Sequence, residues 1–194
     1  MRALIIGLGH MGVRRARILQ ELGFDLALTD SQIDVSALCG KLGASNLQAK
    51  WRLSTRPFSD ILKEERSNVC LICTPPDSHL RLATDAANVG MNVFIEKPLS
   101  DSFDVPAITK LVETLQARGR WGMIGNSYRF LPSLREFRKR FTDYPLVAGE
   151  IWSGQNLSDW HPGEDYKNSY SAKIGVGYES LAHSFDLVNW LWGD

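Results

Sequence analysis

Two short stretches of the sequence carry side chains that could contact a bound molecule or transfer a proton. The first is Glu96-Lys97-Pro98, which follows the apolar, β-favouring run Val93-Phe94-Ile95. This pattern is typical of a buried parallel strand that ends at its carboxyl edge, where open α/β sheets bind their ligands. Lys97 would then stand at the mouth of a crevice. The alternative is a solvated lysine at a strand end.

The second stretch contains Glu179 and His183, which are four residues apart in a segment with helical periodicity. Side chains at this spacing lie next to each other on a helix. A carboxylate beside an imidazole fixes the tautomer of the ring and favours its protonated form, as an acid–base group requires. The alternative is a surface pair of charged residues without a catalytic role.

A glycine loop near the N-terminus predicts where a cofactor binds. The apolar run 2–6 leads into Gly7-Leu8-Gly9-His10-Met11-Gly12, and a helical pattern then extends to Gly23. A second apolar run follows and ends in Asp30. Strand, glycine loop, helix, strand and acid together form the dinucleotide-binding fingerprint. Gly7 allows the tight turn, Gly9 lets the backbone approach a pyrophosphate, and Gly12 lets helix and strand pack closely.

The acid at the end of the second strand bears on the choice of cofactor. Asp30 would accept hydrogen bonds from the adenosine ribose hydroxyls and would repel a 2′-phosphate. Ser31 follows it, and no arginine is adjacent to bind that phosphate. The sequence therefore predicts NAD(H) as the preferred cofactor, with NADP(H) less favoured.

Further strands and helices alternate up to about residue 125. Strands are predicted near Trp51–Arg56, Val69–Cys73, Val93–Ile95 and Trp121–Gly125, and helices over Val35–Leu42, Pro57–Glu65, the segment ending near Val89, and Asp104–Ala117. Val105, Ile108, Val112 and Leu115 form the predicted buried stripe of the last helix. This alternation predicts an α/β fold, a doubly wound parallel sheet of about six strands.

The loop Thr74-Pro75-Pro76-Asp77-Ser78-His79 follows a predicted strand. Its prolines cannot join a sheet, so the chain must turn away from it there. Asp77 or Ser78 is expected to cap the next helix. We expect the loop to lie against the nicotinamide half of the cofactor and His79 to orient the loop.

The pattern changes after Asn126. A helix that ends at Phe141 is predicted, and its arginines and lysine form a solvated face. A strand over Leu146–Trp152 and a long binding loop over Ser153–Lys173 follow. The last predicted element is a helix over Glu179–Trp192, with Leu181, Phe185, Val188 and Trp192 on one stripe. These elements no longer follow the alternating pattern of the first part. We therefore expect residues 1–125 to form a dinucleotide-binding Rossmann domain and residues 126–194 to begin an α+β domain.

Composition restricts the function further. The 22 basic and 22 acidic residues give a formal net charge of zero, which argues against a nucleic acid partner. No apolar run approaches the ~20 residues that span a bilayer, and the N-terminus resembles a strand and turn rather than a signal peptide, so a cytoplasmic location is expected. Cys70 and Cys73 form a C-x-x-C, but on a strand they would point to opposite faces, which argues against a metal or redox site.

The motifs together resemble those of the Gfo/Idh/MocA (glucose–fructose oxidoreductase / inositol dehydrogenase) family. The resemblance rests on the glycine loop, Thr74-Pro75-Pro76…His79, Glu96-Lys97-Pro98, Tyr128-Arg129-Phe130 and Gly175…Glu179…His183…Asp186. It implies that Lys97 contacts substrate and nicotinamide, that a cis peptide precedes Pro98, and that His183 is the acid–base residue. Glu179 stands where the family usually has Asp. Members typically have a larger C-terminal domain, which implies that this one, residues 126–194, is incomplete.

The resemblance and the motifs define the expected site. The expected catalytic residues are Lys97, His183 and Glu179. The expected cofactor-binding residues are Gly7, Gly9, His10, Met11, Gly12, Asp30, Thr74, Pro75, Pro76, His79, Glu96 and Lys97. The expected substrate-binding residues are Lys97, Tyr128, Arg129, Trp160, Tyr166 and His183, and no metal is expected.

The implied function is an NAD(H)-dependent oxidoreductase that acts on a secondary alcohol of a sugar, cyclitol or nucleotide sugar. A homo-oligomer is expected if the full C-terminal domain is present. Two alternatives stay open: a truncated NAD-binding protein without activity, and NAD-dependent glycosidase chemistry, in which oxidation is followed by elimination.

Overall fold

Among the described residues, six parallel strands form one sheet in the order β3-β2-β1-β4-β5-β6. They are β1 (Arg2–Ile6), β2 (Asp25–Thr29), β3 (Trp51–Ser54), β4 (Val69–Ile72), β5 (Asn92–Ile95) and β6 (Gly122–Ile124). The computed structural model describes residues 1–31, 51–54, 58–141, 143–145, 148–152 and 175–193. The strand order reverses between β1 and β4, so the prediction of a doubly wound parallel sheet is confirmed.

Helices follow the strands in alternation. In the first part of the chain they are α1 (His10–Glu21), α2 (Phe58–Glu64), α3 (His79–Asn88) and α4 (Val105–Ala117). Asp104 caps α4 by accepting a 3.0 Å hydrogen bond from the Ala107 amide. The helix predicted over Val35–Leu42 lies outside the described residues.

The core forms two layers, one on each face of the sheet. Alternate residues of β1 divide between them: Leu4 and Ile6 pack with α2, α3 and α4, whereas Ala3 and Ile5 pack against α1. Successive side chains of a strand point to opposite faces, so a strand covered on both sides is apolar at every position. This explains why the strand sequences form continuous apolar runs.

The predicted buried stripe of α4 needs correction. Leu111 and Leu115 are the buried positions, while Val105 and Val112 are 49% and 45% exposed. The two leucines are one helical turn apart and reach the layer that contains Val93. The prediction is thus correct for Leu115, wrong for Val105 and Val112, and it missed Leu111, which lies one turn before Leu115.

The chain divides into two compact units, Met1–Ile124 and Gly125–Asp194. In the second unit, the 3₁₀ turn Ser127–Phe130 precedes α5 (Pro132–Phe141), and α6 (Val176–Trp192) is the last element. None of the described helices is long and apolar enough to cross a membrane.

The strand predicted over Leu146–Trp152 is not formed by its described residues, 148–152, which have no regular secondary structure. A strand requires a hydrogen-bonded neighbour as well as an alternating pattern. Nothing in the described part of the chain pairs with these residues. The alternation was therefore insufficient evidence for a strand.

Arg135, Arg138, Lys139 and Arg140 on α5 are exposed, as predicted, but two of the arginines also pack on aromatic rings. Arg135 lies over the Phe130 ring at 5.6 Å and Arg138 over the Trp190 ring at 4.8 Å. Arg140 donates a 2.8 Å hydrogen bond to Glu136. Guanidinium groups pack readily on aromatic faces, so two of these arginines hold the helix against aromatic neighbours within the second unit.

On α6, the predicted apolar stripe is exposed at three of its four positions. Leu181, Phe185 and Val188 are 40%, 71% and 39% exposed. Trp192 is half-buried and meets the edge of Phe137 at 5.9 Å between ring centroids.

Candidate functional site

The glycine loop between β1 and α1 has one closed side and one open side. Gly7 has φ +84°, and a Cβ there would lie 2.7 Å from the Cys73 carbonyl carbon. A Cβ on Gly12 would lie 1.9 Å from the Gly7 oxygen. A Cβ on Gly9 would meet nothing within 4 Å. Gly7 and Gly12 are therefore required by packing, whereas the backbone at Gly9 is open to an incoming group.

The open side of this loop suits an anion. His10 and Met11 begin α1, and Gly9 is its N-cap residue. The first amides of a helix have no partner within the helix and carry partial positive charge. A pyrophosphate at Gly9 would accept hydrogen bonds from such amides. The loop thus fits the phosphate part of a dinucleotide.

Asp30 anchors this loop as well as ending β2. The Leu8 amide donates a 2.6 Å hydrogen bond to Asp30 Oδ2, and the Gly7 amide donates a 2.9 Å bond to the Thr29 carbonyl. A charged acceptor makes the Leu8 contact stronger than a neutral one would. Asp30 therefore places a carboxylate beside the loop, where the fingerprint expects a ribose acceptor.

The loop after β4 turns away from the sheet through a 3₁₀ turn, Pro76–Ser78. Ser78 occupies the N-cap position of α3, but its hydroxyl makes no cap bond. Instead, it donates to the Pro75 carbonyl at 2.9 Å and lies 2.7 Å from the Thr74 hydroxyl. The prediction is therefore correct for the N-cap position of Ser78 and wrong for a capping bond from its hydroxyl, which stabilises the proline turn instead. Pro75 is exposed and Pro76 is buried.

His79 connects two of the loops at this edge of the sheet. Its ring is 1% exposed. Nδ1 lies 2.8 Å from the Pro98 carbonyl oxygen, and Nε2 lies 2.8 Å from the Thr74 carbonyl oxygen. The imidazole is thus the bridge between the Thr74–Ser78 turn and the chain that follows β5.

The Glu96-Lys97-Pro98 segment follows β5 directly. Glu96 is 6% exposed, and its carboxylate accepts a 2.7 Å hydrogen bond from Arg15 Nε on α1. Lys97 is half-buried, and the Lys97–Pro98 peptide bond is cis, as the resemblance implied. Arg15, which the sequence did not single out, therefore joins the helix of the glycine loop to the lysine-bearing segment.

The cysteines of the C-x-x-C point to opposite faces, as predicted. Cys70 belongs to the core layer with Leu4, and Cys73 packs in the layer with Ala3. Burial, and then the nearby Glu96 carboxylate, raise the pKa of the Cys73 thiol to about 12, with Arg15 opposing. Within the described residues, no cluster of three or more His, Cys, Asp or Glu side chains could hold a metal ion.

In the second unit, two predicted site residues meet. The Tyr128 ring stacks on the imidazole of His183, with 4.6 Å between centroids and 18° between planes. Arg129 Nε donates to Asp186 Oδ2 at 2.7 Å, and its Nη2 donates to Oδ1 at 2.5 Å. Glu179 lies on α6 one turn before His183, but its side chain is outside the described part of the structure, as are Trp160 and Tyr166.

Two side-chain ion pairs were not predicted from the sequence: Arg15 with Glu96 and Arg129 with Asp186. Arg15 follows Gly12 by nearly one turn, which places it near the loop, but its partner is 81 residues away in the chain. Asp186 lies three residues after His183 on the same helix. That spacing could have indicated that both face the Tyr128-Arg129 pair.

A protein-family model and several known proteins are similar to this chain. The family described as "Oxidoreductase family, NAD-binding Rossmann fold" (GFO_IDH_MocA) matches residues 1–126. The chain is 30% identical to inositol 2-dehydrogenase of Rhizobium meliloti over 191 residues, which cover 98% of the chain and 54% of that relative. It is 26% identical to 4-carboxy-2-hydroxymuconate-6-semialdehyde dehydrogenase of Sphingobium over 78% of the chain and 44% of that relative.

Among solved structures, the chain resembles the WlbA (WbpB) dehydrogenase from Thermus thermophilus in complex with NAD and UDP-GlcNAcA. The TM-score is 0.76 and the identity 23%, covering 100% of this chain and 63% of that one. This likeness shows a shared fold. The chain spans about half the length of the curated relatives it matches, 54% for the inositol dehydrogenase. From the family match over residues 1–126, the chain belongs to the Gfo/Idh/MocA oxidoreductase family, with an NAD-binding Rossmann fold.

Proposed function

We propose that this protein is an NAD(H)-dependent oxidoreductase that interconverts a secondary alcohol of a sugar, cyclitol or nucleotide sugar with the corresponding ketone. The observation that carries the cofactor assignment is the glycine loop, closed at Gly7 and Gly12, open at Gly9 and tied to Asp30. The substrate class is supported by the relatives, among them inositol 2-dehydrogenase and a dehydrogenase bound to UDP-GlcNAcA.

Residues of the first unit would hold the cofactor. The open backbone at Gly9 and the first turn of α1, His10 and Met11, would contact the pyrophosphate, and Asp30 the adenosine ribose. The Thr74-Pro75-Pro76 turn, tied through His79 to Pro98, would form the wall at the nicotinamide. When bound, NAD⁺ supplies a nicotinamide C4 that accepts hydride.

The chain's own residues would handle the proton. His183 takes the hydroxyl proton as the alcohol is oxidised, and returns it in the reverse direction. Lys97 donates a hydrogen bond to the same oxygen and stabilises the negative charge that develops there. We assign Glu179 to the catalytic group because it precedes His183 by four residues on α6. Residues 126–194 thus contribute the acid–base residue, and Trp160 and Tyr166 would contact the substrate.

The first test is a fluorescence titration with NADH and NADPH, followed by a turnover screen with inositols and UDP-sugars. We expect NADH to bind more tightly than NADPH and at least one polyol to be oxidised. Failure to bind either cofactor would overturn the whole proposal. Binding without turnover would contradict the catalytic part and support a binding-only protein. Turnover without net change in NADH absorbance would instead indicate oxidation followed by elimination.

The second test addresses the roles of the two residues. Proton transfer by a positioned side chain is typically worth ~10²–10⁴ in rate, so His183→Ala should lose about that factor in kcat. Lys97→Ala should also lose turnover, whereas Lys110→Ala, which changes an exposed lysine of α4, should not. Near-parental turnover in His183→Ala or Lys97→Ala would contradict these roles.

A further inference from the structure

Two neighbouring residues of the Ser127–Phe130 turn contact two residues on one side of α6. Tyr128 stacks on His183 with 4.6 Å between ring centroids, and Arg129 forms a two-point hydrogen-bonded pair with Asp186. His183 and Asp186 are three residues apart, so they lie on the same face of the helix about one turn from each other. The two contacts therefore lie side by side and join the turn to the helix twice.

The arginine contact fixes the geometry of the turn. Both Nε and Nη2 donate to the carboxylate, and such a planar fork restricts the orientation of both partners. The hydrogen bond to Asp186 raises the pKa of Arg129 above its usual value, although burial opposes the shift. The Asp186 side chain is only 10% exposed. Two of the five N–H donors of the guanidinium are thus committed to this carboxylate.

The tyrosine contact restricts the ring of the acid–base residue. An aromatic ring that lies nearly parallel at this distance limits rotation of the imidazole about its Cβ–Cγ bond. Tyr128 itself is 38% exposed, which leaves one side of its ring outside this stack.

We propose that Tyr128 is a positioning residue for His183 and that Arg129, through Asp186, holds Tyr128 against the imidazole. This inference deepens the proposed function and rests on it for its catalytic consequence. It assigns to Tyr128 and Arg129 a role different from the substrate binding predicted from the sequence. The aromatic ring of Tyr128, and not its hydroxyl group, positions the imidazole of His183.

Two substitutions separate the ring from the hydroxyl. Tyr128→Phe keeps the ring, and we expect it to lose much less of the parental kcat than Tyr128→Leu. Tyr128→Leu removes the ring, and we expect kcat to fall about tenfold or more, because misplacing a reacting group by about 1 Å can cost ~100-fold. KM should change far less. If Tyr128→Phe raises KM as much as Tyr128→Leu does, the hydroxyl binds substrate and the inference is overturned.

NMR spectroscopy of the 194-residue chain tests the stack without an activity assay. The chain has 4 histidines, and His183→Gln identifies the imidazole signals of His183. The ring current of Tyr128 should shift these signals upfield in the parent and in Tyr128→Phe. In Tyr128→Leu they should return toward the position of a free imidazole. Identical His183 signals in parent and Tyr128→Leu would overturn the inference.

The two measurements also separate this inference from the proposed function. A parent that shows the ring-current shift but oxidises no polyol contradicts the proposed function and leaves the positioning contact established. Thermal unfolding of each variant checks that the second unit still folds. Arg129→Lys, which keeps the charge but cannot form the two-point pair, should move the His183 signals in the same direction as Tyr128→Leu. Unchanged signals in Arg129→Lys would contradict the part assigned to Arg129.

Discussion

Arg15 on α1 donates a 2.7 Å hydrogen bond from Nε to the carboxylate of Glu96, the residue that precedes Lys97. The Arg15 guanidinium also lies 5.0 Å from the centroid of the Phe94 ring on β5. The Glu96 side chain is 8% exposed and that of Arg15 is 23% exposed. The helix of the glycine loop and the lysine-bearing segment are therefore linked by a mostly buried ion pair.

Arg15→Met should destabilise the protein because it leaves a buried carboxylate without its partner. Breaking a fully buried pair costs about 3–5 kcal/mol. With Arg15 partly exposed, we expect about 2 kcal/mol in the free energy of unfolding, measured with urea. The double variant Arg15→Met/Glu96→Gln should recover part of this loss. Parental stability in the single variant would show that solvent, rather than Arg15, satisfies Glu96.

Gly9 and Gly12 should respond differently to alanine. Gly12→Ala places a methyl group against the Gly7 carbonyl, and overpacking of this kind typically costs about 1–3 kcal/mol. Gly9→Ala meets nothing within 4 Å, so its unfolding curve should match the parental one. Its affinity for NADH should nevertheless fall at least about tenfold, because the methyl group occupies the space proposed for the pyrophosphate. Unchanged NADH affinity in Gly9→Ala would place the pyrophosphate elsewhere.

Asp30 should affect both cofactor affinity and cofactor choice. Asp30→Asn keeps an oxygen that can accept from the Leu8 amide but removes the charge that repels a 2′-phosphate. We expect it to reduce the preference for NADH over NADPH about tenfold, since a hydrogen bond to a charged group is worth ~1.5–3 kcal/mol. Asp30→Ala also removes the loop anchor and should weaken both cofactors. If the Asn variant kept the parental preference, the charge of Asp30 would not select the cofactor.

Stability should fall in alkaline solution through Cys70. Burial raises the pKa of this thiol well above its usual 9.0, with Cys73 contributing. Above pH 9 the unfolded chain releases the thiol proton while the folded chain retains it, so the unfolding free energy decreases by about 1.4 kcal/mol per pH unit. Urea unfolding at several pH values should show a shallower decline for Cys70→Ala than for the parent. Equal slopes would show that Cys70 ionises readily in the folded protein.

The sequence predicted the sheet well because parallel strands covered on both faces leave a simple pattern. Continuous apolar runs such as residues 3–6 and Val69–Ile72, separated by segments of helical periodicity, became strands of one sheet in alternation with helices. Gly7 and Gly12 could also be identified from the sequence, since their spacing reflects the geometry of one local turn.

The side-chain partners were less predictable because they depend on long-range packing. The ion pair of Arg15 with Glu96 and the fork of Arg129 on Asp186 join residues that are 81 and 57 positions apart. A local pattern contains no information about such distances. Likewise, the alternation at Leu146–Trp152 resembled a strand, but residues 148–152 pair with no strand in the described part of the chain.

His79 adds a constraint on protons to the edge of the sheet. Both of its ring nitrogens face carbonyl oxygens, and carbonyls only accept. A neutral imidazole carries a single N–H and therefore holds either the Thr74 turn or the Pro98 segment, whereas an imidazolium holds both. The number of protons on this one ring thus decides whether the imidazole donates a hydrogen bond to one of the two loops or to both. Nitrogen-15 chemical shifts of the His79 ring report that number directly.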